Sequence, residues 1–302
     1  METEPEDQCL IDLSARHDVT VVCDVDDAFP YSESLAYIPE NSVTSRSEAD
    51  MMVRRYTVKA FVRGTHQEVA SGVSMSPEVS LSLPVGKLDI IGWADYVPQG
   101  SVADYYWFTD DFSEMLEHEK AEYRADDDYK AAAHCIENVT VAYNTRRISV
   151  GLSTVMAKVR LIASDSPSPE VSRIRVSFPG GVPSAVDAFS GKVCYSWQGV
   201  AYNALARPHG SEEWLLSEAM MPANADASRI AICVEMFDAD NNIVARIRGI
   251  DVPVRRGCIT EVKAPFFSAK EVDPVPDDPP SGGGIGIDTD FDDSVVIVLK
   301  PA

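Results

Sequence analysis

Positive charge is scarce in this chain: 26 Lys and Arg stand against 48 Asp and Glu, for a formal net charge of -22 at pH 7. A surface that acidic repels phosphate backbones and anionic headgroups, so nucleic acid and anionic membrane surfaces are not expected as ligands. The acidity serves solubility, or else cation binding or a basic partner. Long apolar runs are missing as well, with nothing near the roughly eighteen residues of a membrane-spanning helix. The opening METEPEDQC has neither the basic start nor the apolar stretch of an export signal, so the protein is either cytosolic or trimmed of such a signal. Cysteine is sparse and scattered. Cys9, Cys23, Cys135, Cys194, Cys233 and Cys258 include no C-x-x-C and no companion histidine at ligand spacing, which argues against zinc. Cys23 and Cys233 fall inside strand-like runs, as small buried hydrophobes or as disulfide partners.

Catalytic signatures are absent in the same way. His17, His66, His118, His134 and His209 lie far apart, and none belongs to H-E-x-x-H. Gly151-Leu152-Ser153-Thr154-Val155 fails the nucleophile elbow at its last position. Asp288, Asp290 and Asp292 alternate like calcium ligands, but Asp293 stands where an EF-hand needs Gly and Leu299 where it needs Glu. No catalytic, cofactor-binding or metal-ligating residue is therefore assigned, and the protein is read as a non-enzyme.

What the chain does have is strand grammar. Asp18 to Val25, Arg55 to Arg63, Val79 to Tyr96 and Glu137 to Asn144 alternate with period two and are rich in β-branched and aromatic residues. The pattern returns in Ile148 to Ser164, Val171 to Pro179, Ser228 to Asp238, Asn242 to Val254 and Cys258 to Phe266, with DADNN at Asp238 to Asn242 as a hairpin turn. The one helix candidate is DDFSEMLEHEKAEYRADDDYKAAAHC, a short helix or a long surface loop. These signals predict an all-β protein of two antiparallel sandwiches in series, with few short helices. Residues 1–150 form the first domain, with a long loop at 31–54; residues 151–272 form the second; residues 273–302 form a Pro/Gly/Asp tether and a terminal strand.

Two segments suggest interaction. Trp93, Tyr96, Tyr105, Tyr106, Trp107, Phe108 and Phe112 are either core or a sugar-stacking platform. Trp93 in its strand reads as core; Tyr105, Tyr106, Trp107 and Phe108, in a polar loop, are candidate contacts for a glycan or protein. The tail ends in Val295, Val296, Ile297, Val298 and Leu299, apolar on both faces, and such a strand needs a groove covered on both sides, in this molecule or another. Arg46, with Arg54 and Arg55 as alternatives, is a candidate proteolytic site in the long loop. A cut there would release Asp18 to Val25 and leave a gap that a tethered apolar strand fills by strand addition.

VSLSLPVGKLDIIGWADYV, YYWFTDDF, STVMAKVRLIAS, FPGGVPSAVDAFSGKV and GGGIGIDTDFDDSVVIVL together resemble the fimbrillin superfamily, the type V pilins and fimbrillin-like surface proteins of Bacteroides-type bacteria. The resemblance implies two transthyretin-like domains, export as a lipoprotein with a lipid anchor in the precursor, and a place on the outer membrane or in a fimbrium. It also implies an adhesive role and assembly with other pilus subunits after an arginine-specific cut, here at Arg46. By the same resemblance Ser153 to Ser164 opens the second domain, and Leu83 to Lys87 is the turn entering the strand of Trp93. The tail could equally fold back on its own subunit.

Overall fold

β-Branched and aromatic residues at alternating positions build nearly everything that the computed structural model describes, namely residues 12–26, 52–118, 128–210, 212–269 and 294–298. In chain order the strands are β1 (Asp12–Val25), β2 (Met52–Val62), β3 (Glu68–Ser74), β4 (Glu78–Pro98), β5 (Met115–Leu116), β6 (Ala133–Val141), β7 (Arg147–Thr154), β8 (Met156–Ala163) and β9 (Arg173–Ser177). They continue as β10 (Val182–Asp187), β11 (Lys192–Trp197), β12 (Ala201–Ala204), β13 (Arg207–His209), β14 (Glu213–Pro222), β15 (Ser228–Phe237), β16 (Ile243–Val254), β17 (Ile259–Ala264) and β18 (Ser294–Val298). The only helical segment among the described residues is a 3₁₀ turn, Asp128–Lys130. Of the two readings of residues 110–135, a short helix or a long surface loop, the described part shows no α-helix and holds β5, that turn and the start of β6. The fold class is all-β, as expected.

The chain divides into two compact units. Unit 1 is Met1–Met115, Tyr129–Thr154 and Asp187–Gly191; unit 2 is Leu116–Asp128, Val155–Val186 and Lys192–Ala302. The run read as one strand over 148–164 is in fact broken at Val155, which separates β7 of unit 1 from β8 of unit 2.

Unit 1 is one six-stranded sheet in the order β1-β7-β6-β4-β2-β3, folded over so that β1 also pairs with β4. β4 makes this closure possible by changing partners along its length. Its first part, Glu78 to Val85, pairs with β1; Gly86 to Ala94 pairs with β6; Leu88 to Pro98 pairs with β2. Leu83 to Lys87 is thus a bend within one strand rather than the expected turn. Gly86 at φ 147 supplies a backbone conformation that a side chain would disfavour. Val19, Val21, Val58, Leu81, Leu83, Leu88, Ile90, Val150 and Leu152 fill the space enclosed.

Unit 2 sets a four-stranded sheet, β12-β9-β15-β16, against a five-stranded one, β13-β14-β8-β17-β18; the remaining sheet of the chain is the three-stranded β11-β10-β5. Val159, Leu161, Val176, Met221, Val234, Ile250, Val252 and Val262 contribute to the core between them. The DADNN hairpin is where expected: Asp238 Oδ1 accepts from the Asp240 and Asn242 amides, and Asn241 takes φ 64, which Asn tolerates.

Candidate functional site: the strand slot of unit 1

β1 lies between two partners and uses both its edges. It runs antiparallel to β4, from Arg16 opposite Pro84 to Val22 opposite Glu78, and parallel to β7, from Thr20 opposite Arg147 to Val25 opposite Leu152. Alternation turns Val19, Val21 and Cys23 inward, at 1%, 0% and 3% exposure. Thr20 and Val22 face out half-buried, flanked by exposed Asp18 and Asp24. Burying each inward hydrophobe contributes about 1.5–3 kcal/mol, and its removal would uncover Leu81, Leu83, Val150 and Leu152 between two unpaired strand edges. Burial pushes the Cys23 thiol up to about 11 and the Cys135 thiol up to about 12, so both behave as small hydrophobes. Cys23, Cys135, Cys233 and Cys258 form no disulfide among the described residues.

β1 is an imperfect occupant of this slot. Nε2 of His17, on the same inward side, is buried with no hydrogen-bond partner among the described residues. An orphaned polar atom of that kind costs roughly 1–3 kcal/mol. Outside, Arg16 bridges strands: its Nη1 donates to Ser82 O at 2.9 Å and its Nη2 to Val69 O at 2.8 Å, beside the bulge between Asp12 and Arg16.

The tail candidates lie elsewhere. β18 pairs parallel with β17, Ser294 opposite Ile259 through Val298 opposite Lys263, at the edge of the five-stranded sheet of unit 2. Leu299 lies outside the described residues. Next to that edge runs an ionic row: Lys158 Nζ and Arg160 Nε donate to Glu218 at 2.8 and 2.5 Å, and Arg160 Nη1 reaches Glu261 at 3.5 Å. Burial alone would raise the Glu218 carboxyl, but the Lys158 and Arg160 cations outweigh it and hold the group below the usual carboxylate range. A depressed carboxylate stabilises the fold fully above its unfolded pKa, and that contribution is lost as pH falls through the folded value. The melting temperature is therefore expected to drop between pH 5 and pH 3, and Glu218→Gln to shrink that drop; an equal drop in both proteins refutes the assignment.

The proteolysis candidates separate. Arg46 lies outside the described residues. Arg54 and Arg55 are not in a loop but in β2, opposite Tyr96 and Asp95 of β4. Arg54 donates to the Tyr96 hydroxyl at 3.0 Å. Arg55, 1% exposed, forks onto Asp95 at 2.9 and 2.6 Å and also reaches Asp104 at 2.7 Å and Val102 O at 2.9 Å. A protease needs accessible chain free to extend, and a laddered strand with a buried arginine offers none.

The same arginine organises the aromatic segment. Asp104 accepts from Arg55 and from the Thr109 amide and hydroxyl, and Lys59 Nζ donates to Asp110 O at 2.6 Å while lying 4.6 Å over the Phe112 ring. Beneath this pinned loop is a second, smaller core. Trp107 is fully buried, edge-on to Trp93 at 5.2 Å, and its indole N–H donates to Lys130 O at 2.9 Å. Tyr106 is buried beside it, so neither Tyr106 nor Trp107 is a ligand contact; their apolar bulk outweighed the polar look of the loop. Only Tyr105 at 38% and Phe108 at 41% remain exposed. Among the described residues no group of three or more His, Cys, Asp or Glu is placed to hold a metal ion.

Comparison with known proteins places the chain more widely. A family model described as a family of unknown function, DUF6562, matches residues 29–300, a span that begins after β1 ends at Val25. No curated protein matches the sequence. Solved structures resemble it at low identity. One is a candidate adhesin of Bacteroides ovatus, with a TM-score of 0.49 and 10% identity over 82% of this chain and 88% of that one. Another belongs to candidate polysaccharide-binding proteins of Bacteroides thetaiotaomicron, with 0.45 and 7% over 76% and 79%. A third is the tip fimbrial protein of Porphyromonas gingivalis with a C-terminal truncation, at 0.38 and 13% over 78% and 81%.

Proposed function

This chain belongs to the DUF6562 family, a family of unknown function, and from that premise we propose that it is a non-enzymatic surface subunit of fimbrillin type that assembles by strand replacement. In this reading a cut at Arg46 frees β1, and the tail of a second copy takes its place between β4 and β7. The observation that carries the proposal is the seating of β1: paired on both edges, with three inward side chains filling a slot that the rest of unit 1 already encloses. Two features add support. The orphaned His17 nitrogen weakens the resident strand. The tail offers Val295, Ile297 and Leu299 at the same alternate spacing as Val19, Val21 and Cys23, without a polar member. The pairing of β18 with β17 is then the storage position of the tail before exchange. Export with a lipid anchor on the precursor, display on the outer membrane or in a fimbrium, and adhesion complete the reading.

A second reading has its own observation. Exposed Tyr105 and Phe108, on a loop fixed by Asp104, suit a monomeric surface lipoprotein that stacks a sugar ring or docks a host or bacterial protein.

One experiment separates the two. The purified chain is cut between residues 27 and 51 and followed by size-exclusion chromatography at high concentration. Strand replacement predicts a ladder of multimers that collapses to monomer when Ile297→Asp is introduced. A cut chain that stays monomeric with its tail intact rules out the first reading and leaves the second.

A further inference from the structure

The two strands that flank β1 also reach each other across it. Arg147 opens β7 opposite Thr20, and Glu78 opens β4 opposite Val22. Residues paired across a sheet share a face, so both project on the outer side of β1 with Thr20 and Val22, away from Val19, Val21 and Cys23. Strands on either side of a third lie about 10 Å apart, a span that one arginine and one glutamate cover together. Here they do: Arg147 Nη2 meets Glu78 Oε1 at 2.9 Å. The bond ties the two walls of the slot over the strand between them.

We propose that the Arg147–Glu78 ion pair is a clasp that must open for a strand to leave or enter the slot. The proposal rests on the strand-replacement reading for its purpose, although the clasp itself operates on β1 whether or not a second strand follows. Its two groups belong to the slot, not to the occupant. Arg16 departs with β1, whereas Arg147 and Glu78 stay behind on β7 and β4 and can close over whatever arrives. The pair is 58% and 57% exposed, so water and salt reach it. Such a pair adds little to the stability of the fold, yet it lies directly across the exit path, which makes it a control on rate.

The test uses the full chain with a site-specific protease sequence inserted after Arg46 and a fluorophore on the N-terminal segment. After cutting, release of the labelled segment is followed against excess unlabelled segment. Arg147→Ala and Glu78→Ala are each expected to speed release about two- to fivefold, the range that an exposed pair supports. The double variant should release no faster than either single one, and Arg147→Glu combined with Glu78→Arg should restore the original rate. In 1 M salt the unmodified chain should approach the variants. Unchanged rates, additive effects in the double variant, or a charge swap without rescue overturn the clasp. A synthetic peptide of residues 290–302 provides the independent arm. If the emptied slot never takes it up, strand replacement by this tail fails while the clasp stands; if release rates do not respond to the substitutions, the clasp fails whatever the peptide does.

Discussion

Replacing Arg55 with alanine is expected to lower stability by about 3–5 kcal/mol, seen as a large fall in the urea midpoint with little change in slope. The guanidinium forks onto the carboxylate of Asp95, whose side chain has no solvent exposure. Burial pushes the Asp95 carboxyl up, with the Arg55 fork opposing that rise. Without the fork, the carboxyl must either take a proton or stay charged in an apolar setting, and both are costly. Asp104 loses a partner too, so the loop that covers Trp107 loosens. Lysine cannot make the paired contact to Asp95 and reach Val102 O and Asp104 as well, so Arg55→Lys should recover only part of the loss. Arg55→Met with Asp95→Leu, which removes both charges, should be far milder than Arg55→Ala alone. A loss below 1 kcal/mol for the alanine variant would show that this network is incidental to the fold.

Val21→Asp is expected to act as strongly but more locally. Val21 has no exposure, and an unpaired carboxylate there would cost about 3 kcal/mol or more. β1 has an alternative to burying the charge, which is to leave the slot. Hydrogen exchange should then show Val79 to Val85 and Arg147 to Leu152 losing protection while Leu88 to Pro98 keep theirs. Under the proposed function, the same variant should form multimers without being cut. Loss of protection throughout unit 1 at once would mean that β1 is integral to its folding unit and not a separable occupant.

Much of this architecture was legible residue by residue. The alternation in Asp18 to Val25 and Val79 to Tyr96 marked β1 and β4, because a half-buried pleat needs apolar side chains at every second position. β3 was not legible: Glu68 to Ser74 holds Gly72, which weakens a strand pattern. The glycine is there because a Cβ would come within 2.8 Å of Leu81 Cδ2. Glu213 to Pro222, EWLLSEAMMP, is rich in helix formers, yet lies in a strand because β8 and β13 pair with it. The site divides along the same line. The proposal that β1 is released was suggested by the long polar stretch that follows it in the sequence. That it is parallel to β7, facing Arg147 from more than a hundred residues away, leaves no local trace in composition or spacing. The aromatic loop misled for a related reason, since acidic neighbours suggested solvent around Trp107 while the packing partner, Trp93, lay in another element.

The way β4 is built bears on how the molecule would carry tension. Any strand seated between β4 and β7 and pulled along its own length loads its hydrogen bonds in shear, all at once, instead of peeling them open singly. On one side that load passes into β4, which continues through the bend at Gly86 as the same strand into the ladders with β6 and β2. No loop interrupts the path. Force applied at the slot is thus spread over the central strands of unit 1 before it can reach a turn.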